Sequence, residues 1–312
     1  MTAVAVCLFP GQGSQRVGMG RDLAAAFPVA RRTFEEADAR LDMSLSRLCF
    51  EGPEETLVQT EHAQPAIVTA SVAAYRVLEE TTGLRPVALS GHSVGEWSAL
   101  VAAGALSLGD AVAAVRERGR LMQSAVPEGV GAMAAIMGLE SDVVSALCAD
   151  AAGGEVVVVA NFNGGGQLVV AGHARAVDRL VALAGARGGK TRRLAVSGPF
   201  HSPLMAPAGA ALARFIRSLD FRAPKLTVVS SVDGRAVRGA EELPDLLARQ
   251  LTSPVRWEEA VRRLAALDAT VALETGPGRV LCGLARRIAP SLAAIPAGDV
   301  EGIERAREAL AA

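Results

Sequence analysis

Aromatic side chains make up only 4% of the 312 residues, so the interior must be built mainly from Ala, Val and Leu, a composition suited to helices packed closely on a sheet. Four cysteines, Cys7, Cys49, Cys148 and Cys282, are widely spaced and lack the C-x-x-C pairing or neighbouring histidines of a zinc or redox site. Reduced, buried thiols and no metal are expected. Charge of either sign is not in excess: 32 Lys and Arg against 33 Asp and Glu give a net charge of −1, and no global positive field points to nucleic acid. No charge-free apolar run reaches the roughly 18 residues of a membrane span. The opening MTAVAVCLFPGQGSQ has no basic leader and does not read as a secretory signal, so a cytoplasmic chain without a membrane partner is expected. Half the residues are hydrophobic, which excludes wholesale disorder and allows one large core with a subdomain.

Val4–Phe9 reads as a buried strand that stops at Pro10 and runs into the turn-rich GQGSQ. Gln64–Glu80 reads as a helix with Val68, Val72 and Tyr75 on one face and Pro65 in its first turn. VALS, GHSVG and EWSALVAAGAL then give strand, sharp turn and helix. Ser107 with Asp110 caps a further helix. On it, Arg118 falls inside the stripe formed by Ala111, Val115 and Met122, whereas Arg116 and Arg120 point elsewhere. Two roles fit such an arginine: its stem covers the stripe while its head finds solvent or an internal acid, or it is an anion receptor in a pocket.

From Ala132 to Val196 the pattern is β-α-β-β-α-β, the ferredoxin-like order, with Gly164-Gly165-Gly166 turning the central hairpin and TRRLAV as the last strand. The chain then resumes with a PLMAPAGAALARFIRSL helix, an LTVVS strand, a helix near Glu241–Gln250, the VALE strand, TGPG and a helix through Arg287. The expected fold class is α/β, with a mostly parallel sheet covered on both faces and a small ferredoxin-like insertion. The domain bounds follow as 1–130 with 198–312 for the large domain and 131–197 for the small one.

GHSVG fits the G-x-S-x-G nucleophile elbow and nominates Ser93; the alternative is a glycine-rich core turn with a buried hydroxyl. A neutral serine needs a base. Of four histidines, His62 and His173 sit at helix starts, and the turn is expected to direct His92 away from Ser93 into packing. His201, in the loop-like GPFHSP, is the candidate. No acid presents itself as a third member, since Asp142, Asp150 and Asp178 all fall in the insertion, and a backbone carbonyl could orient the imidazole instead. Amides at Gln12 and Val94 are candidates for an oxyanion hole. GQGSQ matches neither a phosphate loop nor a dinucleotide fingerprint.

These residues, with FPGQGSQ, AQPA, GHSVGE, ERGRLMQ, NFNGGGQLVVAG, FHSPLM, RQLTSPVRW and ETGPGRVL in order along the chain, resemble the malonyl-CoA:acyl carrier protein transacylases and the acyltransferase domains of fatty acid and polyketide synthases. The resemblance implies an α/β-hydrolase-like large domain with a ferredoxin-like insertion. It implies that Ser93 takes a malonyl group from malonyl-CoA, that His201 is the base, and that Arg118 grips the malonyl carboxylate with two donors. Gln12 and Val94 supply the oxyanion amides, and the Gln250 main-chain carbonyl orients His201, so the Gln250 side chain is expected to matter far less than the imidazole. Gln64 would line the pocket, Asn161 the interdomain cleft, and Phe200 would discourage an α-methyl branch. Val94 and Trp97 depart from the family's commoner Leu and Tyr. No bound cofactor is implied; the acceptor is the phosphopantetheine thiol of an acyl carrier protein, and a monomer is expected. The rivals are an acyltransferase serving a polyketide synthase or malonate decarboxylase carrier, a serine esterase or thioesterase, and a noncatalytic carrier-binding protein.

Overall fold

A computed structural model describes residues 3–311. The first two residues and the last of the expected domain bounds therefore lie outside the described residues. Among the described residues nine strands form two sheets: β1 (Ala5–Phe9), β2 (Ala88–Gly91), β3 (Gly131–Met137), β4 (Val157–Gly164), β5 (Gln167–His173), β6 (Lys190–Arg193), β7 (Thr227–Val229), β8 (Val271–Glu274) and β9 (Ala293–Pro296).

The larger sheet is parallel throughout, in the order β7-β2-β1-β8-β9. All five residues of β1 are buried, and their alternation explains why. Cys7 and Phe9 join one apolar cluster with Leu89 and Leu273, while Val6 and Leu8 join a second with Ala88 and Ala272. The first cluster is covered by the Thr60–Thr82, Leu108–Ser124 and Ala206–Ile216 helices, the second by the Trp257–Ala265 and Val280–Ile288 helices. Ser107 caps its helix as expected: its hydroxyl accepts from the Asp110 amide at 3.0 Å and donates to the Asp110 carboxylate at 2.8 Å.

Three boundaries differ from the sequence reading. The Thr60–Thr82 helix begins a turn earlier, nucleated by the Gln59 carbonyl, which accepts from the amides of His62 and Ala63; Pro65 thus lies inside it instead of in its first turn. TRRLAV is strand only as far as Arg193; the Leu194 amide makes one more bond to β3, at the Met133 carbonyl 3.0 Å away, and the chain then leaves the sheet to line a cleft. Pro203–Met205 is a 3-10 turn, and the α-helix starts at Ala206.

The smaller sheet is antiparallel, in the order β4-β5-β3-β6, which is the ferredoxin-like arrangement. One face carries Ala134, Ile136, Val159 and Val170 against the Ser141–Ala152 and Ala174–Ala186 helices. The other carries Met133, Val169 and Ala171 into the large domain's core. Gly164, Gly165 and Gly166 all have positive φ (77°, 58° and 71°), a run that only glycine adopts easily. β4 is also stitched to the large domain: the Val255 amide donates to the Ala160 carbonyl and the Phe162 amide donates to the Val255 carbonyl, both at 2.8 Å.

Candidate active site

β2 delivers the chain to a reversal that only small flanking residues permit. A Cβ on Gly91 would lie 2.0 Å from the Gly95 carbonyl carbon, and one on Gly95 would lie 2.2 Å from the Phe9 oxygen at the end of β1. Between them Ser93 has φ +52°, in the left-handed region, and projects its hydroxyl from the turn that opens the Gly95–Ala102 helix. The Ser93 Oγ lies 2.8 Å from His201 Nε2.

His201 also has a positive φ, +58°, and is buried. Its Nδ1 faces two carbonyls, Gln250 at 2.9 Å and Ser253 at 3.1 Å. Both can only accept, so Nδ1 carries the proton and Nε2 presents its lone pair to the serine. Burial, reinforced by the Arg118 charge, lowers the imidazole pKa to about 3. The ring is therefore neutral and able to accept a proton. Asp142, Asp150 and Asp178 are exposed on the small domain and take no part. His92 is turned away, its Nε2 2.9 Å from Asn163 Oδ1 on β4 and its ring packed on Trp257. His173 holds the Val156 amide through Nδ1.

Arg118 is 1% exposed, yet its guanidinium reaches the wall of a cleft of about 340 Å³ between the two domains. Nη1 donates to Gln64 Oε1 at 2.9 Å, and Nη2 donates to Gln250 Oε1 at 3.0 Å and to Ser93 Oγ at 3.2 Å. Burial pushes its pKa down to about 9 and the nearby Glu96 opposes that, so the group is charged at neutral pH. Asn161, Phe200, Gln12 and Val94 all line the cleft. Among the described residues, the backbone amides of Gln12 and Val94 have no protein acceptor. The GQGSQ loop is seated on the elbow: a Cβ on Gly11 would come within 2.6 Å of the His92 oxygen.

Gln64 differs from expectation. It is fully buried behind Arg118 and absent from the cleft wall, its Nε2 donating to Met122 Sδ at 3.5 Å. The Gln250 side chain is also better connected than expected: it bonds Arg118, the Ser93 carbonyl at 3.2 Å and Glu96 at 2.8 Å. Glu96 itself was not foreseen; the available signal was a lone acid in the otherwise small and apolar GEWSALVAAGAL.

The family model for acyl transferase domains matches residues 6–297. The malonyl CoA-acyl carrier protein transacylase of Escherichia coli (strain K12) is 45% identical over 302 residues, covering 96% of this chain and 98% of its own. The chain belongs to the malonyl-CoA:acyl carrier protein transacylase family. Among solved structures of the family, the transacylase FabD from Xanthomonas oryzae pv. oryzae superposes with a TM-score of 0.96 at 46% identity, over 99% of each chain. The malonyl-transacylase PlMCAT, in complex with the type II PKS acyl-carrier protein AntF, superposes at 0.95 with 44% identity, over 98% of this chain and 99% of that one. The enzyme's two-sheet α/β architecture with its antiparallel insertion is that of the family. Among the described residues no helix is long and apolar enough to cross a membrane, no group of three or more His, Cys, Asp or Glu is placed to hold a metal ion, and all four cysteines are free and buried.

Proposed function

We propose that this enzyme moves a malonyl group from malonyl-CoA to the phosphopantetheine thiol of an acyl carrier protein through a malonyl ester on Ser93. The observation that carries the reading is a convergence on one atom: Ser93 Oγ lies 2.8 Å from His201 Nε2 and 3.2 Å from Arg118 Nη2. A nucleophile, a neutral base and a fixed cation meet inside a partly apolar cleft.

As Ser93 Oγ attacks the thioester carbonyl, its proton passes to His201 Nε2 and an O–C bond forms. The carbonyl oxygen becomes an oxyanion, stabilised by the free amides of Gln12 and Val94. Collapse re-forms the carbonyl and breaks the C–S bond; the departing CoA sulfur takes the proton from His201. The carrier's thiol then gives its proton to the same nitrogen, attacks the ester and leaves Ser93 reprotonated. Throughout, Arg118 holds the malonyl carboxylate, exchanging its contact with Ser93 for the substrate's oxygens, while Gln64 buttresses the guanidinium from behind. A neutral acyl chain would leave that buried charge without an anionic partner, which disfavours a general esterase. Asn161 and Phe200 shape the cleft wall where the acyl group and pantetheine arm lie. These steps use only the chain's own groups, and malonyl-CoA and the carrier arrive as substrates. We place the domain bounds at 130/131 and 197/198, and take the working form as a cytoplasmic monomer, for which one sedimenting species of a single chain's mass is expected.

Brief exposure to malonyl-CoA followed by intact-mass measurement tests the central step. One malonyl adduct is expected on the native enzyme and none on Ser93→Ala; an equal adduct on that variant would refute the assignment.

A further inference from the structure

Glu96 lies in the first turn of the Gly95–Ala102 helix with no exposed surface. Its Oε2 accepts from Gln250 Nε2 at 2.8 Å, from Ser231 Oγ at 3.0 Å and from the Ser231 amide at 3.3 Å; its Oε1 has no protein partner among the described residues. A carboxylate kept in the core with one oxygen unpaired is unfavourable for stability alone. What it touches supplies a reason.

The Gln250 amide stands between Glu96 and Arg118. Its nitrogen donates to Glu96 and to the Ser93 carbonyl, and its oxygen accepts from Arg118 Nη2. A guanidinium can only donate, and Glu96 Oε2, already taking two donors from Ser231, presents an acceptor to Gln250, so the two groups dictate which way the amide faces. Burial pushes the Glu96 carboxyl up, and a proton carried on Oε1 would leave Oε2 an acceptor all the same. Released from Glu96, the amide nitrogen keeps only its longer 3.2 Å bond to the Ser93 carbonyl, and the Nη2 that lies 3.2 Å from Ser93 Oγ is held less firmly.

We propose that Glu96 is a positioning residue: by holding the Gln250 amide it locks the Arg118 guanidinium in register with Ser93, and it thereby sets the preference for a carboxylated acyl group without touching that group. This rests on the reading of Arg118 given above.

The test is the ratio of kcat/KM for malonyl-CoA over acetyl-CoA in enzyme acylation. In Glu96→Ala the ratio should fall by about tenfold or more, the scale of one charge-assisted hydrogen bond. Glu96→Gln, which still offers an oxygen to Gln250 Nε2, should recover most of it. With Arg118→Ala already in place, Glu96→Ala should shift the ratio by less than about twofold, because no guanidinium remains to be placed. Should Glu96→Ala fail to fold, Gln250→Ala cuts the same link while keeping the carbonyl that holds His201, and the same loss is expected. A merely structural Glu96 would depress both substrates alike and leave the ratio unmoved, which overturns the proposal. So does a loss that Glu96→Gln does not relieve, or one that persists undiminished in the Arg118→Ala background. If Arg118→Ala itself leaves the ratio unchanged, it is the reading of Arg118 that fails.

Discussion

Ser93 and His201, at φ +52° and +58°, hold a backbone conformation that costs an L-residue about 1–2 kcal/mol. Ser93→Gly should therefore be more stable than Ser93→Ala by about 1 kcal/mol, although both lack the nucleophile; equal melting temperatures would show that the elbow is unstrained. The His201 imidazole, lowered to about 3, makes a second prediction. It takes up a proton only as pH falls far below 6.5, so kcat/KM for malonyl loading should hold between pH 7 and 5 wherever the fold is intact, and an inflection near 6.5 assigned to His201 would contradict this. The unfolded chain does bind that proton below about 6.5, so this residue's contribution to stability is complete above that pH and declines as pH falls toward 3. For Arg118, removal to Ala should lower malonyl selectivity by about 2–5 kcal/mol, roughly 30- to several-thousand-fold, with acetyl transfer falling little. Arg118→Lys should restore only part, because an ammonium lacks the planar fork; an unchanged malonyl-to-acetyl ratio in a folded Arg118→Ala protein would return the residue to packing. Much of this site was legible. Glycine spacing exposes Ser93, and helical phase puts Arg118 on a buried stripe. Gln64 and Gln250 carry neither kind of signal and entered through the family resemblance, which does not distinguish a side chain on the cleft wall from one behind it; hence Gln64 was expected in the pocket lining and the Gln250 side chain was expected to matter much less than its carbonyl.

At the scale of elements, the end of β1 and the elbow are in backbone contact, so the turn tolerates no added methyl. Gly95→Ala would drive a Cβ to 2.2 Å from the Phe9 oxygen, and backbone cannot yield as a flexible side chain does. We expect a loss of about 3 kcal/mol or an insoluble protein; a Gly95→Ala variant with native melting temperature and activity would show that the elbow can shift. Seven strands were readable because each is short and mostly apolar and lies beside a turn; β6, Lys-Thr-Arg-Arg, is polar and was read only through the apolar residues after it, and β9 at Ala293–Pro296 was not read at all. β6 was overextended, since Leu194 and Val196 alternate like strand residues while serving the cleft and the large core. The Pro28–Leu41 helix gave little to read: its buried positions are Ala30, Thr33, Phe34, Ala37 and Leu41, and with Ala or Thr at three of them the helical stripe is faint in composition although regular in spacing. Proline misled at Pro65, where forgoing one hydrogen bond is tolerated inside a long, packed helix.

On the scale of the whole molecule, the small domain forms one wall of the cleft and is tied to the elbow through the His92–Asn163 hydrogen bond and to the large domain's Val255 through a bridge from β4. A carrier must bring its arm to this mouth. Arg187, just before β6, and Lys190 and Arg192 within it are exposed, and the continuation of that strand lines the cleft, whereas Arg193 is already paired with Asp178. Reversing the first three charges should raise the carrier KM and flatten its salt dependence while leaving malonyl loading from CoA unchanged; carrier kinetics that do not move would exclude this surface. The domain order was readable because the switch from parallel to antiparallel texture is abrupt, but the closeness of the two walls depends on contacts far apart in the chain. The four buried thiols have a practical consequence. Burial pushes Cys7 up to about 12 and Cys148 to about 11, and raises Cys49 and Cys282 as well. The folded enzyme is thus a blank background for maleimide chemistry. A cysteine written at Val280, 60% exposed on the rim of the cleft, would take a fluorophore at that one address, and its emission would report each carrier's arrival and departure in real time.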